Sequence, residues 1–473
     1  MSDILPSVGT WRELLGRRYL GAMVVLAGGV ALYATNVYLT TSLLPSAIAE
    51  IGGERFYAWN TTVFLLTSVA SSVLVSRLLS ATTSRGAYLV ALGAFTAGTV
   101  VCALAPHMAV LLVGRAVQGA GGGLVAGLGY AVIRSALPSR LWARGTALIS
   151  AMWGVGTFAG PVLGGWFANI GAWRWAFAAL AAASLLLGAL VPKVLAATRP
   201  ETRREAFPFA SLALLSGAAL VVSVASLASS PLVGGLGVVA GMGLVAGFAV
   251  HERRTPARIL PGATYARGSA LPWLYATIAP LAIGSTTETF VPLFGQRLAG
   301  LGPLVAGFLG AALALGWTLG EIPSAAATRP ATVRRVLVAG PVVLTAGLAL
   351  TAALQEGSAW LWAVALLIAG SGIGMAWPHL ATSAMRSVGS GAASGSDSGS
   401  ASGSEGDKAS AAINTVQLVA NAFGASLTGL LVNLGGEDTL RSARYLFWGF
   451  AALAILAVAT SRRGAHRSHP DDV

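Results

Sequence analysis

Residues 153–165 read WGVGTFAGPVLGG and lie in an apolar stretch with no charged residue between Arg144 and Arg174. Gly156, Gly160 and Gly164 fall four apart, so on a helix they share one face. With no side chains there, a neighbouring helix can approach backbone to backbone, the usual mode of helix association where lipid removes the hydrophobic drive. Pro161 cannot donate a backbone hydrogen bond and is expected to bend or loosen the helix at its middle. The segment predicts a tightly packed, pliable membrane helix.

Composition extends that reading to the whole chain. Over 473 residues, 55% are hydrophobic and only 10% charged, and the mean hydropathy is +0.74, which excludes an ordinary soluble protein. The apolar residues come in blocks of about 20, the length that crosses a bilayer core. The first block, about residues 19–44, is too long for a cleavable signal and leads into more blocks. A single cysteine, Cys102, leaves no disulfide framework and no metal cluster. Of 30 basic residues 28 are Arg, and there are 60 Gly, a usage that points to a bacterial genome rich in G and C.

Fourteen spans are expected, at about 19–45, 58–79, 87–105, 109–133, 145–168, 174–192, 208–227, 231–250, 271–295, 303–327, 333–354, 359–384, 409–433 and 443–461. With both termini placed in the cytoplasm, the inner side collects 24 Lys and Arg and the outer side five, with Arg115 alone inside a span. That asymmetry satisfies the positive-inside rule and accounts for the net charge of +13 without nucleic acid. Removing one span would invert every later loop and destroy the pattern. An even number of spans follows.

The chain also repeats itself. GAGGGLVAGLGYAVIRS (119–135) is similar to GSGIGMAWPHLATSAMRS (370–387), and Ile149, Gly160 and Gly165 match Ile413, Gly424 and Gly429. Internal repeats of this kind mark transporter folds. The expected division is a six-helix bundle (1–192), a linker with two extra central helices (193–270), a second six-helix bundle (271–461) and a cytoplasmic tail (462–473). Residues 387–407, SVGSGAASGSDSGSASGSEGD, are expected to form a flexible Gly/Ser loop on the inner side.

On these residues the chain resembles the major facilitator superfamily, in its 14-helix drug/proton antiporter branch. Gly156, Gly160, Pro161, Gly164 and Gly165 match the antiporter motif of the fifth helix. Arg115, Gln118 and Gly119 match the fourth-helix R-x-x-Q-G. Trp173, Arg174, Trp175 and Phe177 are similar to the W-R-W-x-F entry of the sixth helix, and FVPLFGQRLAGLGPLVAGFL (290–309) is similar to the family's P-L-Y-x-Q…G-x-S-P-x-x-A-G-x segment. The resemblance implies an all-α fold of two six-helix bundles plus two extra helices, with substrate bound near the midplane and access alternating between the two sides. Two departures stand out. In SRLLSATTSR (76–85), Ser80 and Ala81 replace the Asp and Arg of the family's loop, and Asn36 stands where the branch carries an Asp in the first helix, nine residues before Pro45.

Ionisable groups inside spans are functional candidates, because burying charge at the bilayer centre costs about 2.5–3.5 kcal/mol even on lenient scales. Glu288 lies well inside the ninth span and is expected to load and release a proton, or to meet a cationic substrate. Its structural alternative is a carboxylate bonded to Ser285 or Thr289. Arg115 needs several acceptors, which the glycine run 119–123 would let a neighbouring backbone supply. The resemblance implies that it packs on the first helix and takes part in proton transfer; the alternative is a purely structural clamp. His379 can titrate near neutral pH, although a satisfied core histidine fits it better. Asn36, Tyr33, Tyr38, Trp153, Gln417 and Asn421 could line a substrate cavity or only bridge helices. Glu321, near an inner helix end, is expected to reach towards water.

No G-x-x-x-x-G-K-[ST] stretch is present, so ATP is not an expected partner, and neither a cofactor nor a catalytic motif appears. The leading expectation is a monomeric carrier in a bacterial inner membrane that exports an amphipathic or lipophilic small molecule in exchange for protons. One alternative is a proton-independent facilitator or a lipid or metabolite exporter. Another is a sensor or scaffold that has lost transport.

Overall fold

A computed structural model describes residues 10–197, 208–228, 230–255, 258–266, 268–327, 329–392 and 401–468. Helices are the only regular elements among them. In chain order they are α1 (Trp11–Leu14), α2 (Leu20–Ile51), α3 (Tyr57–Ser72), α4 (Val75–Ala81), α5 (Ser84–Ala103), α6 (Met108–Ala131), α7 (Ile133–Ala136), α8 (Trp142–Asn169), α9 (Trp173–Val194), α10 (Phe209–Ala225), α11 (Pro231–Arg254), α12 (Leu271–Ser285), α13 (Val291–Ala299), α14 (Pro303–Ser324), α15 (Pro330–Ala353), α16 (Ala359–Ala392), α17 (Ala401–Leu434) and α18 (Thr439–Ser468). A 3-10 turn, Thr286–Thr289, joins α12 to α13.

Eleven of these helices are long and apolar enough to cross a bilayer among the described residues. The other three expected spans are broken or short. The second divides into α3 and α4, the seventh is the 17-residue α10, and the ninth divides into α12 and α13 around the 3-10 turn. The Gly/Ser segment also departs from expectation. Helix α16 continues to Ala392 and α17 begins at Ala401, so 387–392 and 401–407 extend helices and are not loop. Residues 393–400 lie outside the described residues, as does the end of the tail beyond 468. Pro161 does not interrupt α8, which is helical from Trp142 to Asn169.

The helices group into two compact units. The first comprises Met1–Glu54, Val63–Glu205 and Pro303–Phe308. In it α2 packs along α8, and α5 packs on α6 and α9. Its core gathers Leu14, Met23, Leu26, Tyr88, Leu128 and Ile149. The second unit comprises Arg55–Thr62, Ala206–Gly302 and Leu309–Val473. There α12 packs on α17 and α18, and α15 on α16 and α18. The pair α10 and α11 docks on α17 through Ser223 Oγ, which donates to Ser426 Oγ at 2.8 Å.

The sequence repeat has a structural counterpart inside each unit. In α6, a Cβ at Gly119 or Gly123 would collide with the backbone of α3, and one at Gly121 with α5. In α16, a Cβ at Gly370 or Gly374 would collide with α14, and one at Gly372 with α15. The alternation is the same in both. Each glycine run lets one helix press against two neighbours at once.

Candidate functional site

The first unit is built around the Arg115 side chain, which is 2% exposed. Its Nη1 donates to Asn36 Oδ1 at 3.2 Å and to Gln118 Oε1 at 2.5 Å, and its guanidinium carbon lies 4.1 Å from the centre of the Phe64 ring. Gln118 Nε2 in turn donates to Thr99 Oγ1 at 2.8 Å. These partners are side-chain oxygens and a π face. The glycines at 119 and 123 serve the α3 contact. Asn36 Nδ2 is buried without an acceptor. A carboxylate at position 36 could accept from every donor around it, but the amide contributes donors of its own. The site pairs an arginine with a neutral amide at the position where the family resemblance implies an acid. No acidic residue occurs between Glu54 and Glu201.

Tyr33 connects this network to Trp153. Its ring sits 5.4 Å from Phe64 and 5.7 Å, edge-on, from Trp153. Tyr33 is 3% exposed and Trp153 39%, so of the two Trp153 is the open one. Tyr38 is buried against the seam of α8. A Cβ at Gly156 would stand 2.5 Å from Ala34 Cβ, and Cβ atoms at Gly160 and Gly164 would overlap Tyr38 and Leu39. All three glycines therefore face α2, as their spacing predicts. Gly165 faces elsewhere, onto Leu304 at the start of α14.

In the second unit, Glu288 sits on the 3-10 turn between α12 and α13 and not within a continuous helix. The local sequence explains the break. Residue 292 is a proline, so no N–H is available to the carbonyl of Glu288 four residues earlier. Ser285, Thr286 and Thr287 donate their hydroxyls back to the carbonyls of Ala282, Ile283 and Gly284 at 2.8, 2.7 and 2.9 Å. This satisfies the last turn of α12 from its own side chains. The turn is also clamped from outside: Tyr57 OH donates to the carbonyl of Thr289 at 3.3 Å, and the Tyr57 ring stacks on Phe290 at 4.4 Å. Ser285 is thus committed to its own backbone and does not hold the Glu288 carboxyl. Glu288 Oε2 is buried with no hydrogen-bond partner.

The remaining candidates divide. Helix α17 packs on the turn through Gly424, whose Cβ would meet Thr286 and Ile283. It also carries Gln417 and Asn421, both part-buried, and Asn421 Oδ1 has no donor. His379 makes its hydrogen-bond contacts with α14. Its Nε2 lies 3.0 Å from both Ser324 Oγ and the Ser324 carbonyl, a satisfied core histidine. Glu321 does not simply reach towards water, because its Oε2 accepts from Trp317 Nε1 at 3.1 Å.

A family model described as the Major Facilitator Superfamily matches residues 26–403. The chain belongs to the major facilitator superfamily. Two relatives, each a "probable multidrug-efflux transporter" from Mycobacterium tuberculosis (strains CDC 1551 / Oshkosh and ATCC 25618 / H37Rv), are 46% identical over 479 residues, covering 99% of this chain and 99% of each relative. Among solved structures, a POT family transporter in complex with 5-aminolevulinic acid aligns with a TM-score of 0.68 at 13% identity, over 97% of this chain and 99% of that one. A D-xylose-proton symporter aligns at 0.65 and 12%, over 94% and 97%. These likenesses establish the fold. The chain is a multi-pass membrane protein of a transporter family.

As a major facilitator protein, it has two further buried or bridging acids, Glu50 and Glu252, with distant or backbone partners. Glu50, at the end of α2, accepts from the buried Trp173 Nε1 at 2.7 Å and from Arg174 Nη1 at 2.5 Å, while Arg174 Nη2 donates to the Ala105 carbonyl at 3.0 Å. The W-R-W-x-F segment is thus one half of a tie whose other half is a single distant acid. Glu252, fully buried at the end of α11, accepts from Ser211 Oγ at 2.5 Å and from the backbone N–H groups of Ile259 and Leu260 at 3.0–3.1 Å. It fixes the chain leaving α11. Neither acid has a local pattern that marks it, because its partners are far away in sequence or belong to the backbone. In the altered 76–85 segment, Ser80 Oγ only donates to the Arg77 carbonyl at 2.8 Å, and Arg85 Nε donates to the Leu195 carbonyl at 3.1 Å.

Proposed function

We propose that this protein exports an amphipathic or lipophilic small molecule in exchange for protons by alternating access, with Glu288 as the proton carrier. The observation that carries the reading is the unpartnered Glu288 Oε2 on the turn between α12 and α13. A carboxyl with no fixed donor is free to gain and lose a proton, and a turn that lacks continuous helical bonding can shift as it does so. The name borne by the 46% identical relatives supports efflux. Asn36 in place of an acid leaves Glu288 as the acidic residue best placed for coupling. In this reading Arg115 and Gln118 hold the first unit together, and Tyr33, Trp153, Gln417 and Asn421 contribute to substrate contact.

The reading places both termini in the cytoplasm of a bacterial inner membrane, with fourteen crossings arranged as six, two and six, in a monomer. The 24-to-five division of basic residues supports that orientation. In proteoliposomes under an imposed pH gradient, wild type should drive uptake or release of a fluorescent lipophilic compound, and Glu288→Gln should lose at least about tenfold of the gradient-dependent rate. Equal gradient-dependent rates in the two would rule out Glu288 as the carrier. Gradient-independent flux in wild type would favour the facilitator reading, to which Asn36 beside Arg115 also points.

A further inference from the structure

Helix α11 meets α17 through glycines. A Cβ at Gly234 would stand 2.6 Å from Leu430, and one at Gly241 3.3 Å from Phe423, while Leu232, Leu236 and Val239 of α11 stay exposed. Helix α18 meets α17 at the next residue, where a Cβ at Gly449 would stand 2.7 Å from Leu431. Between α11 and α18 the surface of α17 is left open as a groove of about 540 Å³, lined by Pro231, Leu431, Leu434, Tyr445, Trp448 and Gly449. All six belong to the second unit. The volume lies within the range of small-molecule sites, about 300–1,000 Å³.

The groove is apolar along its length and charged at one end. Arg441, Tyr445 and Trp448, spaced by four and three residues, share one stripe of α18. Tyr445 and Trp448 are 46% and 51% exposed, the amphipathic rings that sit at the headgroup level of a bilayer. Gly449 is ten residues past the start of α18, or about 15 Å at 1.5 Å per residue, half of a hydrocarbon core of roughly 30 Å. The groove is therefore one leaflet deep. At its charged end Asp438 Oδ1 accepts from the Arg441 N–H at 3.0 Å and caps α18, and Asp438 Oδ2 lies 3.6 Å from Arg441 Nη2. Glu437 is exposed beside them. Arg444 is paired instead with Glu356, at 2.9 Å.

We propose that this groove holds one acyl chain of a zwitterionic phospholipid with a primary ammonium, of the phosphatidylethanolamine type, its phosphate on Arg441 and its ammonium on Glu437 and Asp438. Charge complementarity selects the headgroup. One cation beside two carboxylates matches a head that carries both signs, whereas a net-negative head would face both acids. A quaternary ammonium has no N–H to donate to them, and a primary ammonium has three. A second copy of the chain is a poorer occupant, because six lining residues fall far short of the about 20–30 a side of a stable subunit interface. The bound chain would bridge α11 to α18, closing the contact that the glycines of α11 leave unmade. The inference is independent of the export reading.

Native mass spectrometry of the purified full-length protein, with dioleoyl phosphatidylethanolamine, phosphatidylcholine or phosphatidylglycerol added in turn, tests it. Wild type should retain one phosphatidylethanolamine, bound at least about tenfold more tightly than either other lipid. Leu434→Trp, which fills the groove, and Trp448→Ala, which removes a wall, should each weaken its binding about tenfold. Arg441→Gln should weaken all three lipids, since all carry the phosphate. Glu437→Gln combined with Asp438→Asn, which keeps a capping side chain on α18, should abolish the preference over phosphatidylglycerol and leave a lipid bound. Trp360→Leu, at an exposed indole on the first turn of α16, should match wild type. No retained phospholipid in wild type, equal affinity for the three, or a dimer in place of the lipid adduct overturns the proposal without recourse to any variant. Wild-type affinity in both Leu434→Trp and Trp448→Ala also overturns it.

Discussion

Arg115 shows how a single buried charge organises its surroundings. Its partners Asn36 and Gln118 are both 0% exposed, and Gln118 is itself held by Thr99. Gln118→Leu removes one acceptor from a buried guanidinium, where hydrogen bonds to charged groups contribute about 1.5–3 kcal/mol. A lower thermal midpoint for purified Gln118→Leu is expected, and an unchanged midpoint would show that the bond contributes little. The importance of Arg115 could be read from the sequence, since a lone basic residue in a span is conspicuous. Its acceptors could not, because glycine spacing shows where a backbone can come close but not which side chains arrive there. Glu288 was equally visible as a lone acid. Its freedom from Ser285 was not, because that hydroxyl had a nearer acceptor in its own helix.

At the scale of the helix, the glycine seam of α8 behaves as its spacing requires. Gly156, Gly160 and Gly164 all meet α2, whereas a Cβ at Gly154 would meet nothing within 4 Å. Gly156→Ala and Gly160→Ala are therefore expected to destabilise by about 1–3 kcal/mol through overpacking. Gly154→Ala should be neutral or stabilise by about 0.5–1 kcal/mol through helix propensity. Thermal midpoints of the three variants check the contrast, and a shared direction of change would contradict it. Pro292→Ala supplies an N–H to the Glu288 carbonyl and should extend helix through the turn, slowing gradient-driven flux while leaving the protein in the membrane. Periodicity alone could not place that break. The apolar run from 271 to 295 is uninterrupted by charge except at Glu288, and a proline one turn beyond an acid is compatible with either a kink or a stop. The extension of α16 and α17 into the Gly/Ser segment was hidden for the opposite reason, because its composition favours flexibility.

For the whole molecule, hydropathy and the positive-inside count carried the class of the protein, and the repeated glycine runs carried its internal symmetry. Both signals are spread over many residues, so the loss of any one, such as the Asp and Arg absent at Ser80 and Ala81, leaves them intact. The couplings between distant residues, Glu50 with Trp173 and Glu252 with the chain after α11, emerge only in three dimensions. One exposed ion pair illustrates the electrostatics. The guanidinium of Arg140, 2.6 Å from the Glu13 carboxylate, holds that carboxyl below the usual carboxylate range. The contact is therefore kept at neutral pH and is lost as pH falls through the lowered value. The proposed proton-driven export makes one further demand on the molecule: energy coupling and substrate exchange must be separable. The decisive measurement compares uphill, pH-gradient-driven flux with downhill substrate exchange at equal pH, in wild type and Glu288→Gln reconstituted side by side. The account predicts that the variant loses uphill flux and keeps exchange. Uphill flux at the wild-type rate in Glu288→Gln would contradict it.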